Sequence, residues 1–268
     1  MSLKTILKSI LLKVAPQQVE ALLSKRQHEH IRRFEESLGL PELQTRYQKE
    51  HPLSVQRGPF SGMSYIAEAT GSMFIPKLIG SYEAELAPIV HDAIAQQPRV
   101  VVDIGCAEGY YAVGMARALP AARIFAYDMD PHARTLCRQL AERNGVQDQV
   151  EIRIEASRAE LNTILVPGAF VICDCEGCES FVLDPVACPA LASCDILIEL
   201  HEFLSKGTTA RLEAAFSSSH TLTRLSQTLR DPHSYPELKG FTAEEQSKLV
   251  QEFRPPDQQW MLLKARTR

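Results

Sequence analysis

The stretch from Arg99 to Leu119 constrains the fold more than any other part of this chain. Val100-Val101-Val102-Asp103-Ile104 is an apolar run of strand length, Gly105 to Gly109 form a glycine-bearing turn, and Tyr111 to Leu119 reads as a helix. A strand without polar alternation is buried on both faces, and one that turns straight into a helix belongs to a parallel sheet covered by helices. The alternation continues, with strand runs at 124–127, 150–155, 170–174 and 195–200 and helical patterns at 132–143, 178–184 and 208–216. The end differs, since 220–229 and 259–265 both read as strands around a helix-like 242–253. The expected fold class is therefore α/β, a doubly wound, mostly parallel seven-stranded sheet.

Around that sheet the chain divides into three stretches. Residues 1–50 predict an N-terminal helical appendage, broken at Pro16 and at Gly39-Leu40-Pro41. Residues 51–82, with Gly58, Gly62, Gly71 and Gly80, read as a loop-rich connecting or lid segment rather than a core layer, and 83–268 as the domain that holds the sheet. Within the appendage Leu3, Ile6, Leu7, Ile10 and Leu11 recur at helical spacing, and residues 1–33 carry seven Lys/Arg against Glu20 and Glu29. Such a stripe packs on the domain or on a second copy more readily than on a membrane, which makes a homo-oligomer through these helices an expectation.

Composition removes several function classes. A hydrophobic share of 45% suffices for a packed core, and a net charge of −4 gives no global attraction to nucleic acid. No apolar run approaches the ~20 residues that span a bilayer, and Lys8 and Lys13 interrupt the only signal-like start, so no transmembrane segment and no export are expected. Seven cysteines, an odd number and mostly within or beside strands, point to a reducing, cytoplasmic setting.

The turn after the first strand carries the chemistry. In Asp103-Ile104-Gly105-Cys106-Ala107-Glu108-Gly109-Tyr110 the glycines permit a tight turn and a close backbone approach, and the helix start offers N–H groups. A dinucleotide enzyme would carry three glycines for a pyrophosphate; an acidic residue ahead of a G-x-x-x-G pair suits a cationic ligand instead. S-adenosylmethionine, with its ammonium and sulfonium, fits Asp103. Asp128, in Tyr127-Asp128-Met129-Asp130 and 23 residues beyond Gly105, stands where a carboxylate accepts ribose hydroxyls at the end of the next strand. Ala156 and Ser157 follow the third strand, placed to meet an adenine ring, although Ser157 equally suits a helix cap. The expected cofactor contacts are thus Asp103, Gly105, Cys106, Ala107, Gly109, Tyr110, Asp128, Met129, Ala156 and Ser157.

A second acidic cluster closes the fourth strand. Asp174 and Glu176 alternate onto one face near the transfer centre, Glu179 returns in the next turn, and Glu199 and His201 end the fifth strand at the same rim. His201 is the expected general base, with Asp174 and Glu176 placing cofactor and substrate. Asp174, Glu176, Glu199 and His201 also make an oxygen-rich set for Mg²⁺, the less favoured reading because no dedicated ligand spacing is visible. Cys173, Cys175 and Cys178 lack the separated second half of a structural zinc site, so buried small side chains are expected and no zinc. Arg254-Pro255-Pro256 and Arg230-Asp231-Pro232 suit either a substrate mouth or simple turns.

The segment Asp174-x-Glu176-Gly177-x-Glu179 resembles the strand-four motif of FkbM-type methyltransferases, and residues 75–205 are similar to that family as a whole. Gly58-Pro59-Phe60-x-Gly62-Met63 and Gly80-Ser81-Tyr82-Glu83 are similar to segments that precede its catalytic domain. The resemblance implies a Rossmann-like class I fold, S-adenosylmethionine as cofactor, Glu83 at its methionine end, and methyl transfer to a hydroxyl of a sugar or other natural product. The chain lacks the Asn/Asp-Pro-Pro-aromatic motif of nitrogen methylation, which weighs against a nucleic-acid substrate. A protein or RNA acceptor, or a cofactor-binding adaptor without catalysis, are the alternatives.

Overall fold

A computed structural model describes residues 29–267, so the expected amphipathic helix near the N-terminus lies outside the described residues. The strands are β1 (Val100–Ile104), β2 (Arg123–Tyr127), β3 (Val150–Arg153), β4 (Phe170–Cys173), β5 (Asp195–Leu200), β6 (His220–Ser226) and β7 (Gln259–Ala265). They form one seven-stranded sheet in the order β3-β2-β1-β4-β5-β7-β6, parallel except where β7 runs antiparallel to both β5 and β6. This is the doubly wound, Rossmann-like α/β fold that the strand pattern predicts. Strand order reverses between β1 and β4, and crevices at such a reversal hold ligands at the strands' carboxyl ends.

The strand side chains divide by parity between two cores. Val101, Ile124, Ala126 and Ile172 face one side, packing with Val113 and Met115 of α4 (Tyr110–Ala118) and Leu140 of α5 (Pro131–Arg143). Val102, Ile104, Phe125, Val171 and Ile198 face the other, against Leu161 of α6 (Arg158–Ile164), Val182 of α7 (Glu179–Val182) and Leu212 of α8 (Thr208–Phe216). Alternate residues burying opposite faces is the two-residue strand period at work. Helix α6 is absent from the periodicity read in the sequence; Ser157 starts it by accepting the N–H of Glu160.

Residues 51–82 depart from expectation, for they form part of the core. Val55, Phe60, Met63, Tyr65, Phe74, Ile75, Leu78 and Ile79 are all buried there, the last four of the set around α2 (Phe74–Ile79). The glycines turn the backbone while the apolar side chains between them reach the sheet helices. Gly114 in α4 makes room, since a Cβ there would lie 2.4 Å from Cγ of Phe60. Upstream, 29–38 is helical, Gly39 breaks it at a φ of 70°, and α1 (Leu40–Glu50) packs through Tyr47 and an Arg46–Glu245 pair against α9 (Ala243–Leu249). Among the described residues no helix is long and apolar enough to cross a membrane.

Candidate active site

A cavity of about 710 Å³ opens at the β1/β4 reversal. That volume suits a cofactor-sized ligand. Its walls come from the β1 turn, Asp128 to Asp130, Ile154 to Ala156, the segment after β4, Thr70 to Met73, and Glu252 to Arg254.

Asp103 sits at its floor, 2% exposed, and its Oδ2 is buried without a hydrogen-bond partner. Burial, helped by the nearby Asp174 carboxylate, pushes its pKa up to about 8. A buried acid with an unused oxygen is a place where a cation restores the charged form. Gly105 has φ 86°, and a Cβ on it would lie 1.6 Å from the Asp174 carbonyl oxygen, so only glycine lets the β1 turn pass beneath the β4 segment.

Four of the turn's N–H groups are already paired, against the expectation that they face a ligand. Those of Gly105 and Cys106 donate to the Tyr127 carbonyl, that of Ala107 to Asp128 Oδ2 at 2.8 Å, and that of Gly109 to the Cys106 carbonyl. The turn thus closes on itself and on β2. Gly105, Cys106, Ala107 and Tyr110 line the cavity; Gly109 does not. With φ 96° it starts α4, and a Cβ would meet Cys137 Sγ at 2.7 Å, so its role is packing against α5.

Asp128 lines the cavity, each oxygen accepting one backbone N–H, from Ala107 and from Asp130, at 2.8 Å. Its pKa is raised by burial against the pull of those bonds. Met129 lies half exposed at the rim, and Ile154 and Ala156 supply an apolar wall. Ser157 lies outside the lining because its hydroxyl is spent as the α6 cap.

Asp174, Glu176 and His201 come together as the strand ends imply. His201 Nε2 lies 3.6 Å from Asp174 Oδ1 and 3.5 Å from Glu176 Oε2, and Nδ1 is 2.6 Å from Glu179 Oε1. Only the first two carboxylates line the cavity, while His201 is 3% exposed behind them. Burial opposes its protonation, but the Glu179 hydrogen bond and the flanking acids outweigh it and raise its pKa. The expected base thus stands behind Asp174 and Glu176 and does not itself line the cavity. Ligand atoms of Asp174, Glu176 and His201 lie within 4.8 Å of one another, close to the span a divalent cation bridges.

Glu83 is buried and does not line this cavity. It pairs with Arg254 and accepts the Tyr111 hydroxyl. Burial lifts its pKa to about 7, against the pull of Arg254. Arg254 proves to be a hub, paired also with Glu199 and Glu252 and lying over the Tyr82 and Trp260 rings. Sequence reasoning missed Lys77 and Glu108, a buried pair completed by the Tyr65 hydroxyl; nothing in their spacing announces a partner 31 residues away. At the mouth Phe34 and Phe253 meet edge to face at 5.4 Å. Cys175 and Cys178, expected as buried thiols, are joined in a disulfide, since the turn over Glu176-Gly177 brings their Cα atoms to 5.5 Å; Cys173 is buried as expected.

Residues 83–177 match the O-methyltransferase family. The matched stretch holds Asp103, Asp128, Asp174 and Glu176. Curated relatives include the ribosomal protein L11 methyltransferases of Aeromonas hydrophila, 39% identical over 69 residues, and of Alteromonas mediterranea, 35% identical over 75. These alignments cover 26% and 28% of this chain, and it spans about a quarter of the length of those relatives (23% and 25%). Among solved structures, an O-methyltransferase from Bacillus cereus in complex with SAH is similar at a TM-score of 0.44 and 16% identity, over 71% of this chain and 90% of that one.

Proposed function

We propose that this chain is an S-adenosylmethionine-dependent methyltransferase acting on a hydroxyl of a small acceptor. The observation that carries the reading is Asp103, a buried carboxylate with an unpartnered oxygen at the floor of the β1/β4 cavity. In this reading Asp103 takes the cofactor's ammonium, Asp128 the ribose hydroxyls, and Ile154 and Ala156 the adenine face. The cofactor supplies an activated methyl group. The O-methyltransferase match over 83–177 supports oxygen as the acceptor atom, and the Asp174-x-Glu176-Gly177-x-Glu179 motif supports the finer FkbM-type assignment.

The protein's own part is alignment, exclusion of water and proton removal. Asp174 and Glu176 face the cavity and are the proposed acceptors of the hydroxyl proton, with His201 and Glu179 as positioning residues behind them. The Phe34–Phe253 pair favours an acceptor with an apolar face, a sugar-bearing or other natural product included. A protein acceptor is the second reading, favoured by the alignment with ribosomal protein L11 methyltransferases.

Calorimetric titration of S-adenosylmethionine into wild type and Asp128→Ala, with Mg²⁺ or with a chelator, tests the reading. Loss of the hydroxyl contacts should weaken binding by about tenfold to a hundredfold, the value of hydrogen bonds to a charged group. Equal affinity in the two proteins would remove Asp128 from the site, and absence of binding to wild type would remove the function. Affinity that rises with Mg²⁺ would add a cation at Asp174, Glu176 and His201.

A further inference from the structure

The segment after β4 is closed on itself by the Cys175–Cys178 disulfide. Its cysteines fill the two open positions of Asp174-Cys175-Glu176-Gly177-Cys178-Glu179. Between them Glu176 has φ 54° and Gly177 φ 100°, a shape that a free glutamate rarely holds, so the closure and the backbone depend on each other. Cys175 and Cys178 line the cavity and are partly exposed. Cys106, Cys137, Cys173, Cys188 and Cys194 are buried free thiols. Of these five only Cys106 also lines the cavity, and it is 4% exposed, so the bridge is the most accessible sulfur to a small reagent entering there.

We propose that Cys175 and Cys178 are a reversible dithiol–disulfide couple, a modification site for low-molecular-weight dithiols and disulfides, whose state sets the position of Glu176. Any effect on methyl transfer rests on the function proposed above; the couple itself does not. In the reducing direction one thiolate of a small dithiol attacks a bridge sulfur, and the other cysteine leaves as a thiolate and is protonated by water. The reagent's second thiolate then displaces the attacked cysteine, which is protonated likewise. Two electrons and two protons pass to the protein, and the reagent departs as its cyclic disulfide. A disulfide reagent reverses both steps.

Cys173 is a third sulfur nearby, its Sγ 3.8 Å from that of Cys175. It is fully buried and does not line the cavity, so a reagent there does not reach it. Exchange therefore runs through the external reagent. Asp174 is tied down apart from the bridge, its N–H donating to the Ile104 carbonyl at 2.8 Å. Reduction should thus release residues 175–178 and leave Asp174 in place.

The test uses the full chain prepared without reductant. Iodoacetamide labelling read by mass spectrometry should leave Cys175 and Cys178 unmodified. Graded dithiothreitol should expose both together, ahead of the five buried thiols, and a diamide treatment should close them again. Hydrogen exchange at amides 176–178 should quicken about tenfold or more on reduction, the response of a loop that loses its covalent tie, while the amide of Asp174 keeps its rate. The double variant Cys175→Ser/Cys178→Ser should exchange at the reduced rate whatever the reagent; if it does not fold, the wild-type titration decides alone. Labelling of both cysteines without reductant, or equal exchange in both states, would overturn the couple. S-adenosylhomocysteine titrated into each form is read separately: failure of both to bind removes the proposed function, while labelling and exchange still decide the couple.

Discussion

Asp103 ties the charge at the cavity floor to folding through one proton. Its carboxyl titrates near 8 in the folded protein and near the ordinary aspartate value when unfolded, with burial the main cause. Between those values the folded state binds more protons than the unfolded state, so stability from this group is full below about pH 4 and falls as pH rises towards 8. Asp103→Asn keeps the shape and removes the titration. Its melting temperature without ligand should exceed that of wild type at pH 7.5, by about 3 °C or more, and the gap should narrow at pH 5. Thermal melts at the two pH values check this, and an equal gap at both would show that Asp103 is not held protonated. The position of Asp103 is legible in the sequence, because a lone acid inside the valine run of β1 has nowhere to go but the strand's ligand end. Its unpartnered oxygen is not legible, since that depends on which side chains the other strand ends bring near it.

At the scale of elements, the β1 turn and the β4 segment lock together through a missing side chain. A Cβ on Gly105 would lie 1.6 Å from the Asp174 carbonyl oxygen, and φ there is 86°. Gly105→Ala should cost about 3 kcal/mol or more, because left-handed strain adds to a backbone clash that no rotamer relieves. Urea denaturation measures it, and a loss below 1 kcal/mol would mean the two segments separate freely. The strands and most helices were readable because fully buried strands and amphipathic helices have different periods. Helix α6 leaves little trace in the sequence, being short with only Leu161 of it buried. The 51–82 segment misled for a related reason: its glycines signal turns, and the apolar residues between them follow neither a helix nor a strand period.

Over the whole molecule, Arg254 binds the parts together. It pairs with Glu83 ahead of α3 (Ala87–Ala95), with Glu199 at the end of β5 and with Glu252 beside it. Arg254→Ala leaves buried carboxylates unpaired and should cost about 3–5 kcal/mol, whereas Arg254→Lys, keeping the charge without the fork, should recover part of it. Chemical denaturation of the three proteins checks the order, and an unaffected Ala variant would show the network to be dispensable. Such a hub is invisible in sequence, where Arg254 stands 171 residues from Glu83 and 55 from Glu199.

The placement of β7 between β5 and β6 has a bearing on how the protein is made. A nascent chain can pair its parallel strands as they emerge, but the slot beside β5 stays open until residues 259–265 leave the ribosome and thread into it. Arg254 arrives just ahead of them, so Glu83 and Glu199 wait for their counter-charge until after β6 has been made. The cavity wall that Arg254 supplies therefore forms only after six of the seven strands have been made, and chains short of it carry an open sheet edge at β5.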